Sequence, residues 1–152
     1  MVEKLKMIWQ DAKQLKDERG LTLVELLVVV VILGIIAAIA VVAIGGIIEN
    51  SRKDAMVADA KQMVSAAKLY TASNPKADTL DFGSGGNGTQ YLSQLKDPFG
   101  GESYITSTVV ITEDTTTKGK FNYVVNLEGS KYEYTNVAED SLDKESTNLV
   151  AK

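Results

Sequence analysis

Glu25 stands alone as a carboxylate at the head of an apolar run, in Gly20-Leu21-Thr22-Leu23-Val24-Glu25-Leu26-Leu27. From Leu26 to Ile48 every residue is Leu, Val, Ile, Ala or Gly. Roughly 23 residues make about 34 Å of helix, enough to cross a hydrocarbon core of about 30 Å. An acid at the centre of a bilayer costs about 2.5 kcal/mol or more, and such a residue is a functional candidate by default. Glu25 lies near one end, where the cost is smaller, so the chemistry it offers is pairing with a cation. The other reading is an acid that snorkels to the interface without a partner.

Few other residues offer chemistry. The chain has no Cys and no His, which excludes disulfides, Cys/His zinc sites and mechanisms needing thiolate or imidazole. Gly83-Ser84-Gly85-Gly86-Asn87-Gly88 is a glycine cluster, but it lacks the Lys-Ser/Thr of a phosphate-binding loop and does not follow a strand. It reads as a flexible linker. No nucleophile–base pair and no metal cluster is present, so no catalysis is expected.

Elements must position these residues. Residues 1–20 are polar and mixed in charge, with five basic residues against four acids, which leaves −5 of the total −4 on the rest of the chain. A net-acidic outer part gives no long-range attraction for nucleic acid. Lys118, Lys120 and Lys131 are its candidate basic contacts, and strong DNA binding is not expected. A secretory signal would place its small cleavage-site residue after a short apolar stretch. Here Gly20 comes before a run long enough to span, so cutting at Gly20 leaves the helix on the mature chain. Gly34, Gly45 and Gly46 could admit a neighbouring helix, and Gly45-Gly46 is the softest point for bending.

Met56, Ala60, Met63, Ala67 and Tyr70 recur at helical spacing, predicting an amphipathic helix over 50–74 whose stripe packs on the chain's own domain, with Asp54, Asp59, Lys61 and Lys68 off the stripe. Asn74-Pro75 ends it. Residues 75–103 read as a connecting loop, with Tyr91, Leu92 and Leu95 in one docked helical turn. Residues 104–137 read as three antiparallel strands, which need a cover that the helix supplies. Residues 138–152 are polar and expected to be disordered. The fold class is therefore α+β: a long N-terminal helix, membrane-spanning over 21–49 and amphipathic over 50–74, on a small three-stranded antiparallel sheet.

The Gly20-Leu21-Thr22-Leu23-Val24-Glu25 element, followed at once by the apolar run, resembles the class III signal of type IV pilins and pseudopilins. The match covers about residues 19–50, and the architecture beyond it is similar. The resemblance implies a leader of residues 1–20 and a membrane prepilin peptidase that cuts between Gly20 and Leu21 on the cytoplasmic side. It also implies N-methylation of Leu21, and export of subunits by an assembly platform and ATPase motor into a homopolymeric or mixed surface filament. Before assembly the subunit would sit in membrane lipid as a single-pass protein. Its N-terminus would be cytoplasmic, in keeping with more basic residues before the span than in Arg52-Lys53 after it. Glu25 would pair with the Leu21 amine of the next subunit and gauge register, with Thr22, Leu23 and Val24 as supporting motif residues.

Three departures stand out: Leu21 replaces the usual Phe or Met, Val42 stands where many pilins have a helix-breaking Pro, and no cysteine pair staples the C-terminal region. The last points to a Gram-positive source or a pseudopilin. Leu95-Lys96-Asp97-Pro98-Phe99-Gly100, with Tyr104, is similar to the Asp-Pro-Trp-Gly…Tyr element of major type II secretion pseudopilins, which bind calcium in a nearby loop. Glu102, Glu113 and Asp114 offer oxygens in the 97–114 region without regular ligand spacing. The preferred reading there is a turn seating Phe99 and Tyr104 in the core, with no cofactor. The expected function is a filament subunit. The alternatives are a pseudopilin of a secretion or DNA-uptake pseudopilus and a non-polymerising anchored domain.

Overall fold

A computed structural model describes residues 1–144 and 148–152, with the side chains of residues 15–21 outside the description. Helical backbone (α1) runs Val2–Ser73. The chain divides into two compact units, Met1–Ile47 and Ile48–Lys152.

In the first unit the described side chains from Thr22 to Ile47 are exposed, apart from half-buried Ala40. Thr22–Ser73 is long and apolar enough, by length and composition, to cross a membrane. Val and Ile are poor helix formers in water, but in lipid the backbone must satisfy its own hydrogen bonds, which a helix does. A Cβ placed on Gly34, Gly45 or Gly46 would meet nothing within 4 Å, so this chain's own packing does not demand glycine at any of them.

The second unit holds the whole described core. Met56, Ala60, Met63 and Ala67 are fully buried, as their helical spacing predicts, and Tyr70 packs at the margin. Asn74 closes the helix by donating its N–H to the Tyr70 carbonyl, ahead of Pro75. Asp59 departs from the expected polar face. It is half-buried and accepts a 2.7 Å hydrogen bond from the Tyr104 hydroxyl.

The sheet has five antiparallel strands in sequential order, not three. They are β1 (Asp78–Asp81), β2 (Thr106–Glu113), β3 (Phe121–Glu128), β4 (Tyr132–Ala138) and β5 (Leu149–Ala151). The central three alternate as the pattern demands: Val109 and Ile111, then Tyr123, Val125 and Leu127, then Tyr132 and Tyr134 face the core. The two additional strands come from segments read as loop and disordered tail. β1 is held by buried Leu80 and by pairing with β2. The C-terminal segment is anchored by buried Leu142, by the Tyr134 hydroxyl donating to the Asp143 carbonyl, and by β5 pairing with β4. A few apolar residues suffice where a sheet edge offers free backbone partners.

Three local features add detail that the sequence reading lacked. The glycine cluster is a packed loop, not a linker. The Gly83 N–H donates to Asp81, Asp81 N–H donates to the Asn87 side chain, and a Cβ on Gly86 would lie 2.2 Å from the Asp81 carbonyl oxygen. The docked turn is a 3₁₀ turn at Asn87–Gln90, with Tyr91, Leu92 and Leu95 partly buried just after it. In β4, Tyr134 and Val137 are both buried although three residues apart. A register shift opposite Asn126 absorbs the extra residue, with Asn136 at φ 58 and its N–H held by the Asn126 side chain. This is a β-bulge, and Asn tolerates the left-handed conformation it needs.

Candidate functional site

Thr22, Leu23, Val24 and Glu25 lie exposed on helical backbone. The side chain of Leu21, and those of the leader residues next to Gly20, are outside the described residues. Among the described residues no hydrogen bond or ion pair reaches Glu25. On an α-helix, residues 21 and 25 are one turn apart. Exposed Val, Leu and Ile side chains run on from Glu25 along the same helix, including Val28, Ile32 and Ile36. Glu25 is thus a single acid at one end of an apolar surface. Burying that surface against other helices would desolvate the acid and make a partner cation valuable.

The other end of the run carries a second acid, which sequence reasoning passed over. Glu49 accepts a 2.5 Å hydrogen bond from the Tyr132 hydroxyl and lies 3.3 Å from the Lys131 ammonium and 3.7 Å from Lys53. Lys53 and Lys131 also sit over the Tyr132 ring, at 4.6 and 5.6 Å. Glu49 is therefore spoken for within its own chain, whereas Glu25 faces outward. Lys53 is a neighbour in sequence, but Tyr132 and Lys131 lie some eighty residues away, so the residue types near Glu49 do not flag the cluster.

The Asp97-Pro98-Phe99-Gly100 element forms the expected turn. Asp97 is buried and accepts from the Phe99 N–H at 2.9 Å and the Ser130 N–H at 2.6 Å, which ties the turn to the β3–β4 connection. Burial opposes its ionisation, but the hydrogen bonds from Ser130, Phe99 and Gly100 outweigh it and keep the carboxyl low. A Cβ on Gly129 would lie 3.1 Å from the Asp97 carboxylate, a tight contact that favours glycine there. Tyr104 is buried and Phe99 half-buried against Tyr132. Burial and the Asp59 acceptor push the Tyr104 hydroxyl well up, and burial likewise raises Asp59.

The candidate calcium oxygens are not brought together. Glu102 and Glu113 are exposed. Asp114 caps the β2–β3 turn, accepting from the Thr116 and Thr117 N–H groups at 2.7 and 3.2 Å. Among the described residues no group of three or more Asp and Glu side chains is placed to hold a metal ion. Of the basic candidates for DNA, Lys120 faces Asp114 at 3.8 Å and Lys131 faces Glu49, so two of the three are already opposite acids.

No curated protein and no solved structure matches the chain at a significant level. Residues 15–41, which span the Gly20–Glu25 element and the first part of the apolar helix, match the family model of the prokaryotic N-terminal methylation motif. The segment that carries Glu25 is thus similar to the class III signal, the N-terminal element of type IV pilins and pseudopilins.

Proposed function

We propose that this chain is a structural subunit of a type IV pilus-like filament. It is made as a prepilin, cut between Gly20 and Leu21 by a membrane prepilin peptidase, and N-methylated on Leu21. It is then polymerised through its N-terminal helix by an assembly platform and motor. The observation that carries this reading is the methylation motif at residues 15–41, set on an exposed apolar helix with one acid at its head. Subunits of this motif class are structural and not enzymatic. Before assembly the apolar segment spans the cell membrane with its N-terminus in the cytoplasm. After assembly it is the core of a surface filament, where Glu25 faces the Leu21 amine of a neighbouring copy and sets their stagger.

Mass spectrometry of membrane and filament fractions tests the reading directly. A chain beginning at N-methylated Leu21 is expected. Material that retains Met1 in cells with an active prepilin peptidase would sink the proposal.

One observation favours a second reading, a pseudopilin of a secretion or DNA-uptake pseudopilus. The Asp97 turn is built into the core much as the similar pseudopilin element suggests, with Tyr104 behind it. Electron microscopy of cells separates the two, since long surface fibres support the pilus and only short assemblies support the pseudopilus.

A further inference from the structure

The leader carries a surface that its composition hides. Residues 2–14 are helical, and at about 100° per residue Met1, Val2, Leu5, Ile8, Trp9 and Ala12 fall within one arc of about 120°. The large side chains of that arc are exposed, with Leu5, Ile8 and Trp9 each about two-thirds accessible. Lys6 and Lys13 border the arc on one side and Lys4 on the other, while Glu3, Gln10 and Gln14 lie opposite. Asp11 sits beyond Lys4, and Met7 is the one large apolar residue on the polar side. The Lys13 ammonium lies 5.3 Å from the Trp9 ring centroid, folded along the margin of the arc.

We infer that residues 1–14 form an in-plane helix that seats its apolar arc in the cytoplasmic face of the membrane, with Lys4, Lys6 and Lys13 meeting anionic lipid headgroups. Two observations select a membrane as the occupant. An apolar arc edged by lysines and centred near a tryptophan is the pattern of an interfacial helix buried about 5–10 Å deep, because lysine stems lie along the apolar surface while their charges reach the headgroups. The leader also adjoins Thr22, where the membrane-spanning segment begins, and seven residues reach at most about 25 Å even when fully extended. The arc is therefore tethered within a short reach of the bilayer. The backbone is helical through this stretch, so the seating requires the helix to bend between Gln14 and Thr22. It would hold the Gly20–Leu21 bond at the membrane surface, within reach of a peptidase embedded there.

The inference rests on the spanning reading above, and one preparation tests both. Trp9 is the single tryptophan, so the fluorescence of the full-length uncleaved chain in vesicles reports the leader alone. In vesicles of mixed zwitterionic and anionic phospholipid, Trp9 emission is expected to be blue-shifted. It should be protected from acrylamide and quenched more by nitroxide near the headgroup than by nitroxide at the acyl-chain end. The double variant Leu5→Glu with Ile8→Glu is expected to return Trp9 to water. Replacing Lys4, Lys6 and Lys13 by Gln should weaken docking by about fivefold for each charge removed, and only when anionic lipid is present.

A wet Trp9 in the unaltered chain overturns the inference, as does a protected Trp9 indifferent to the Leu5 and Ile8 changes. Protection that disappears when the chain is diluted in excess lipid also overturns it, since the arc would then be pairing with a second copy. Extraction of the whole chain by alkaline carbonate would instead defeat the spanning reading, and the inference with it.

Discussion

Glu25 and Glu49 bracket the same apolar run, yet among the described residues only Glu49 has partners. The proposed role of Glu25 follows from that contrast. Glu25→Ala is expected to leave cleavage and methylation intact while filament yield falls about tenfold or more. Removing one member of a buried charge pair costs about 3–5 kcal/mol, largely because the other is left uncompensated. Immunoblots of processed subunit alongside counts of sheared fibres check this, and normal fibres from the variant would remove the pairing argument. Asp59 gives a second expectation. Burial raises its folded carboxyl above the unfolded value, so stability is lost as pH rises from the unfolded value through the folded one. Asn keeps an acceptor for the Tyr104 hydroxyl without the charge. Asp59→Asn is therefore expected to be slightly more stable than the parent at pH 7, the gain being reduced by solvent screening. The advantage should vanish in acid, where Asp59 is neutral anyway, and thermal melts across pH 3–8 measure it.

At the scale of elements, the sequence was most legible where periodicity is long. The Met56–Tyr70 stripe and the alternation in β2 and β3 announce which faces are buried, because a helix and a half-buried strand impose different repeats on apolar residues. β1 and β5 were not legible. Four and three residues hold too little pattern, and their stability comes from pairing with strands already in place. The bulge was half-written: buried Tyr134 and Val137 break strict alternation, and Asn136 between them tolerates the positive φ. The methylation element was readable outright, since it depends on residue order in one short segment. The Glu49 cluster was not, since it depends on contacts between distant segments. The glycine loop shows how composition misleads, because glycines chosen for close packing look like glycines chosen for flexibility. Gly86→Ala is accordingly expected to destabilise the fold by about 1–3 kcal/mol, as overpacking does. Gly45→Ala and Gly46→Ala should leave that stability unchanged. Denaturant unfolding followed by tyrosine signals distinguishes the two groups.

At the scale of the whole molecule, the buried core among the described residues lies between Met56 and Leu142, within the unit Ile48–Lys152. A chain beginning at Ile48 is expected to be soluble and to melt cooperatively, with no response to reducing agent because it has no cysteine. Circular dichroism during heating tests this, and a melt without a transition would show that the core needs the preceding residues. The sheet has one further consequence. Its two outermost strands, β1 and β5, are only four and three residues long. Such stubs present few free N–H and C=O groups, and short edges are one means by which β proteins resist edge-to-edge aggregation. Crowded copies of this chain therefore have little opportunity to zip together through their sheets, which leaves their lateral recognition to side chains.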